Sequence, residues 1–560
     1  MSQQRKPIGQ LLKELGYVTE EQIKVALEVQ KIKPGLLGEI LVELGFVSPR
    51  EIAEAIAYQA GKPFIDLTQY TPTKEALRIL DKTIAKQLEV LPFDVDENSV
   101  KIAMANPYDI NAIDIVKRRA GREVEVSVSD KDTILKYIEI YYFLLENPIE
   151  DEVKRIIENF MKGSGTADIP KLVDLILDHA VIDRATDIHI SPESIASHVF
   201  FRVDGIMRHY YALPREMHSA IVSRIKVLAG LDIAETRLPQ DGSFTHRFFE
   251  EDYDLRVSTV PTAYGENLVL RLLSKNLSLF NLKNLGIEED TLQKLEEQFK
   301  KPQGIVLVTG PTGSGKTTTL YAALRRINAL ERNILTVEDP IEYKFPFIKQ
   351  TQVNEKAGYT FARAIRHFLR QDPDVILIGE IRDEETAEMA LRASITGHLV
   401  LSTLHTNDSV SAIPRLIDMG IRDYMVASGI NAITAQRLVR QVCRFCRTEK
   451  VIKAEELLKY GFDEESIKEY TGIQDLGEEL TLHYGKGCEH CKGTGYLGRT
   501  LILELLILDE EIADMIVKGH TPLAIKERAR EKGMRTLKED GLVKVLKGIT
   551  TPEEVVRVTG

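Results

Sequence analysis

From residue 8 to residue 59 apolar positions recur at helical spacing, and the pattern repeats itself. Gly9, Leu12, Gly16, Ile23, Leu27 and Gln30 advance by 29 positions to Gly38, Leu41, Gly45, Ile52, Ile56 and Gln59. Each copy predicts a short helix stopped by a glycine, a capping Thr19 or Ser48 followed shortly by Glu, and a second amphipathic helix. Two copies are too few for a solenoid. A strand is predicted over Ser99–Met104, and this first domain closes by residue 145. Met161–Asp168 is small, polar and glycine-bearing, which predicts a flexible joint. Beyond it an amphipathic helix (Leu172–Val181) and alternating strands such as His198–Val203 and Tyr253–Ser258 predict an α+β module. From about 290, short β-branched runs at Ile305–Thr309, Ile334–Val337, Val375–Ile378 and Leu399–Ser402 alternate with helical stretches, as a parallel α/β sheet requires. The remainder, from about 430, is predicted helical apart from a cysteine-bearing insert at about 440–500. The expected division is 1–145, a linker at 146–169, 170–287 and 288–560, in a multidomain α/β chain.

Composition narrows the function classes. The 560 residues carry 73 basic and 85 acidic side chains, a net of -12. That balance argues against nucleic acid as substrate. Apolar runs such as Ile305–Val308 are far shorter than a membrane span, and the polar start Met1–Lys6 has no apolar leader segment, so the chain reads as cytoplasmic. The four cysteines form two close pairs, which in a reducing compartment point to metal before disulfide.

Chemistry concentrates in the α/β region. Gly310, Pro311, Thr312, Gly313, Ser314, Gly315, Lys316 and Thr317 fit the phosphate-binding P-loop, after an apolar strand and before a helix that continues with Thr318. Glycines turn backbone N–H groups toward phosphate oxygens, Lys316 neutralises β/γ charge, and the Thr317 hydroxyl can hold Mg²⁺, so ATP is the expected nucleotide. Glu338 with Asp339, and Glu380, stand at the ends of two predicted strands, where metal-holding and water-orienting carboxylates belong. His398 and His405 flank a fourth run, and His405 could sense a γ-phosphate. Cys443, Cys446, Cys488 and Cys491 form two CxxC knuckles suited to tetrahedral Zn²⁺ in a closed, structural site. Arg237, Arg256 and Arg271 are candidates for contacts to a nucleotide in trans, though each could equally be a surface or strand-pairing residue.

Together the P-loop, Thr336–Glu342, Asp372–Asp383, Thr396–Thr406 and the paired knuckles resemble the type II/type IV secretion ATPase superfamily, most closely its pilus-assembly branch. The likeness extends to Asp187–Pro192, Phe201–Gly205 and Gly548–Glu554. It implies a RecA-like ATPase domain behind a PAS-like α+β domain. It also implies a homohexameric ring, peripheral at the inner membrane, that drives pilin polymerisation through a platform protein and the pilus alignment complex. Within it Glu380 would be the Walker B carboxylate, Glu338 the acid that polarises water, and His398 with His405 the histidine box. Ser243 stands where the family often has arginine, leaving any arginine-finger role to Arg237, Arg256 or Arg271. A type II secretion ATPase would share the same engine. The N-terminal repeat is similar to a cyclic-di-GMP-binding domain, but Pro7 and Leu36 occupy its usual arginine positions, so modest or no affinity is expected.

Overall fold

The computed structural model describes residues 6–163, 168–249, 251–273 and 280–560. The repeat folds as predicted. Helix α1 (Ile8–Glu14) ends before Gly16, which turns left-handed. Helix α2 (Glu20–Ile32) starts from a capping box in which Thr19 Oγ1 accepts from the Gln22 N–H and the Gln22 side chain accepts from the Thr19 N–H. Helices α3 (Leu37–Glu43) and α4 (Pro49–Ala60) repeat the plan around Gly45.

Residues 49–273 form one compact unit, and 6–48 with 280–560 form another. The first domain expected over 1–145 is therefore shared between the two units. In the 49–273 unit, β1 (Val90–Val95), β2 (Ser99–Met104) and β3 (Glu123–Val128) make a small sheet, the first pair antiparallel and the second parallel. The expected linker contains a helix, α5 (Ile149–Met161), whose Ile149, Val153 and Ile156 share a core with Leu172 and Ile176 of α6 (Ile169–Ile182). An apolar stripe at helical spacing anchors this stretch, and residues 164–167 of the predicted joint lie outside the described residues. Strands β4 (Asp187–Pro192), β5 (Ala196–Val203), β6 (Ile206–Pro214), β7 (Gln240–Phe248), β8 (Glu251–Thr262) and β9 (Gly265–Leu273) form an antiparallel sheet in the order β6-β5-β4-β9-β8-β7.

The second unit is built on a seven-stranded sheet. Its strands are β10 (Gly304–Thr309), β11 (Ile334–Glu338), β12 (Lys349–Gln352), β13 (Val375–Ile378), β14 (Leu399–Leu404), β15 (Ile430–Val442) and, after a small β16 (Arg447–Lys453)–β17 (Glu479–Gly485) ribbon, β18 (Tyr496–Ile507). The order is β12-β11-β13-β14-β10-β15-β18, parallel except for the β15–β18 pair. Alternate residues of β10 enter two different cores, Ile305 and Leu307 on one face and Val306 and Val308 on the other. Burial on both faces explains why such strands read as continuous apolar runs. The same effect hid β15 and β18, which lie where helix was expected: Leu501–Leu506 carries no polar alternation except Glu504, itself buried. The cysteine ribbon is thus an insertion between two paired strands.

Candidate nucleotide and metal sites

Because β10, β11, β13 and β14 run parallel, the residues that follow them gather at one edge of the sheet. A cleft of about 170 Å³ opens there, lined among others by Lys316, Thr317, Glu338, Glu342, Glu380 and His405. The loop after β10 needs its first glycine: Gly310 sits at φ 144°, and a Cβ there would lie 2.7 Å from the Gln436 carbonyl oxygen. Helix α7 (Lys316–Arg326) begins at the loop's end, directing its first free N–H groups toward the cleft. Lys316 Nζ donates to the Gly310 and Pro311 carbonyls at 2.8 and 3.0 Å, and burial lowers its affinity for the proton while Glu380 opposes that shift. The loop and cation fit a polyphosphate. The Thr317 hydroxyl and the nearby Glu380 carboxylate fit a hard divalent ion.

Glu380 Oε1 lies 2.5 Å from Arg382 Nη2, and its other oxygen lies 3.7 Å from His405 Nε2. Burial first and Lys316 second hold His405 below the usual imidazole range, so it is a neutral donor or acceptor at pH 7. Glu338 is only 4% exposed. It accepts from the Tyr321 hydroxyl, from Thr336 Oγ1 at 2.5 Å and from Gln350 Nε2 at 3.0 Å. Burial and then Glu338 push the Tyr321 phenol far above its ordinary range, so it stays a donor. Glu342, by contrast, is exposed on the cleft wall, and its backbone N–H reaches Tyr321 Oη at 3.2 Å.

His398 does not join His405. It lies at the start of β14, with Nδ1 2.9 Å from the Ala393 carbonyl, while His405 follows the strand's end. With the six residues of β14 between them, the two lie seven residue steps apart, about 23 Å at roughly 3.3 Å per residue. Thr318 is not among the cleft-lining residues. Arg237, Arg256 and Arg271 all belong to the other compact unit. Arg237 is exposed and bound to Glu235 at 3.0 Å. Arg271 Nε donates to Asp187 at 3.0 Å, and in-register pairing aligns Arg202, Asp187, Arg271, Arg256 and Ser243 across five strands.

The four cysteine sulfurs lie within 4.8 Å of one another. The sulfurs are 3.8 Å apart for Cys443–Cys488, 3.8 Å for Cys446–Cys491 and 3.7 Å for Cys488–Cys491. A tetrahedral ion with metal–sulfur bonds of about 2.3 Å requires sulfur spacings of roughly 3.8 Å. The set fits a metal. Burial raises the Cys491 thiol, but N–H groups of Cys488 and Gly495, each 3.2 Å from its sulfur, outweigh that and bring it down to about 7. Phe445 and His490 stack over the knuckles at 3.8 Å between ring centroids.

Residues 162–557 match the family of type II/IV secretion system proteins, and residues 60–145 match the MshEN domain. The chain belongs to the type II/IV secretion system protein family. Within this family, the type IV pilus assembly ATPase PilB of Thermus thermophilus is 42% identical over 89% of this chain and 56% of its own length. Here the chain spans just over half of that relative. Type II secretion system protein E of Dickeya dadantii is 47% identical over 75% of this chain and 80% of that protein. The ATPase DotB of Legionella pneumophila shares the fold, with a TM-score of 0.50 at 21% identity over 70% of this chain and 95% of its own. Both motif copies of the N-terminal repeat, ending at Gln30 and Gln59, precede the MshEN match.

Sequence reasoning missed Glu342, Tyr321 and Arg382 as parts of the site. Glu342 lies within the motif Thr336–Glu342, but four residues past the strand end its direction depends on the loop. No local pattern marks Tyr321, an apolar position of a helix that happens to carry a hydroxyl.

Proposed function

We propose that the chain hydrolyses ATP to power type IV pilus assembly, working as a cytoplasmic homohexamer held at the inner membrane by a platform protein and the pilus alignment complex. Its action on pilins is indirect. One observation carries the hydrolytic reading: Lys316, Thr317, Glu380 and His405, supplied after three different parallel strands, line a single cleft.

The P-loop amides and Lys316 bind and orient the β- and γ-phosphates. Thr317 and Glu380 hold Mg²⁺, which supplies charge neutralisation at the transferring phosphoryl group. His405, neutral and beside Glu380, is placed to hydrogen-bond the γ-phosphate. Glu342, exposed on the cleft wall, orients the attacking water, the role that sequence reasoning assigned to Glu338. The buried Glu338 instead anchors Tyr321. Arg256 and Arg271 are the trans candidates best supported by their row on one sheet; Arg237 and His398 serve elsewhere than the cleft of their own subunit. The four thiolates hold Zn²⁺ as a structural clamp. With Pro7 and Leu36 in the arginine positions, the repeat binds cyclic-di-GMP weakly or not at all.

A second reading, a type II secretion ATPase, draws on the 47% identity to the Dickeya protein. The test is phosphate release by the full chain with Mg²⁺ and ATP. Glu380→Gln should keep ATP binding and lose turnover by about 100-fold or more; turnover at the parent rate would sink the hydrolytic assignment. The ATP-loaded variant then separates the two biological readings by whether a pilus or a secretion platform protein crosslinks to it.

A further inference from the structure

The two copies of the N-terminal repeat share more than helices. Glu14-Leu-Gly-Tyr-Val-Thr19 and Glu43-Leu-Gly-Phe-Val-Ser48 are equivalent turns, each a glycine followed by an aromatic residue. Both turns touch the ATPase body within the same compact unit. In the first copy the Gly16 carbonyl accepts from Arg326 Nη1 at 3.2 Å, and Arg326 is the last residue of α7, the helix that begins with Lys316 and Thr317. In the second copy Gly45 lies so close to Pro346 that a Cβ would stand 2.8 Å from its Cγ. Beside it the Phe46 ring stacks on Phe347, with centroids 5.6 Å apart and planes at 16°.

Pro346 and Phe347 belong to the loop between β11 and β12, the loop that carries Asp339 and Glu342 on the cleft wall. Phe347 holds a positive φ of 63°, a conformation that bulky side chains seldom adopt. Such a conformation persists where its surroundings impose it, and it recurs at switch regions. The two copies also hold each other: Lys33 Nζ lies 2.8 Å from the Glu43 carboxylate, and a Cβ on Gly9 would meet Leu37 at 3.1 Å. The repeat is therefore a braced pair of turns, one on the far end of the P-loop helix and one on the tip of the acid loop.

We propose that these equivalent turns are an intramolecular docking surface that fixes the acid loop relative to α7, so that displacing the repeat changes the placement of Glu342 and thereby the rate of hydrolysis. The effect on rate rests on the hydrolytic reading above; the docking does not.

The test uses the full chain with Phe46→Ala, Phe347→Ala, the double variant and Phe46→Tyr. Amide exchange over residues 341–348 should quicken in Phe46→Ala, although the substitution is some 300 positions away in sequence. Each single alanine variant should lower kcat at least threefold with KM for ATP within twofold. The double should be no worse than the worse single, because both remove one stack. Phe46→Tyr, which keeps the ring, should restore both readouts. Unchanged exchange in a folded Phe46→Ala protein overturns the docking. Quickened exchange with unchanged kcat overturns the link to catalysis. A parent chain with no ATP turnover sinks the hydrolytic reading instead, and the exchange measurement still decides the docking.

Discussion

Glu338 accepts from three donors while almost wholly buried, so removing one donor leaves a carboxylate oxygen short of a protein partner. Tyr321→Phe removes the donor and also leaves the Glu342 N–H without its acceptor. The variant should lose roughly 1.5–3 kcal/mol of stability. Its kcat should fall about tenfold with KM for ATP little changed, the pattern of lost preorganisation rather than lost binding. Denaturant unfolding and steady-state kinetics measure the two effects. The acids themselves should separate by kind. Glu342→Gln is expected to abolish turnover while the protein melts normally, whereas Glu338→Gln should melt lower and keep part of its activity. The reverse outcome would return the water-orienting role to Glu338.

Glu554, on the helix Pro552–Thr559, ties that element to β15. Its side chain is 2% exposed and lies 2.5 Å from Arg440 Nη2 and 2.8 Å from Arg557 Nη2. Burial alone would raise its pKa, but the two guanidinium groups bring it down from 4.5 to about 2. A folded-state value below the unfolded one gives a contribution that is complete above about pH 4.5 and is lost as pH falls toward 2. At about 1.4 kcal/mol per unit it is worth on the order of 3 kcal/mol at neutral pH. Glu554→Gln should therefore lower stability at pH 7 and flatten its decline between pH 4.5 and 2, as acid titration of the melting temperature would reveal. The cysteine insert is a second local device. Purified chain should carry about one Zn²⁺, and Cys491→Ser should lose it. Exchange should then rise in β16 and β17 and stay slow in β15 and β18, which are held by their own long antiparallel ladder. Equal loosening of all four strands would make the metal part of the main sheet's stability.

At the scale of the whole molecule, Lys316 and Glu380 belong to one compact unit and Arg256 and Arg271 to the other. If those arginines complete a neighbour's cleft, a mixture of Lys316→Ala and Arg256→Ala,Arg271→Ala chains should regain part of the turnover that each lacks alone. Recovery fails if each arginine acts only within its own subunit. Among the described residues no helix is long and apolar enough to cross a membrane.

Much of this was legible one-dimensionally. The P-loop, the two CxxC knuckles and the glycine-stopped helix repeat each depend on a few residues at short fixed spacing, and local backbone geometry turns such spacing directly into a site or a cap. Glu380 and His405 were legible because parallel strands bring their ends to one edge. The rest was decided only when distant segments met. Strands β15 and β18 are buried on both faces and so lose the alternation that marks a strand, and Ile149–Met161 became a helix in a core that Leu172 and Ile176 complete. The length of β14 parted His398 from His405. Packing of Tyr321, Thr336 and Gln350 buried Glu338 at the cleft wall, while Glu342 on the same wall stayed exposed. Phe46 met Phe347 because a sequence can repeat a turn without stating what that turn will rest on.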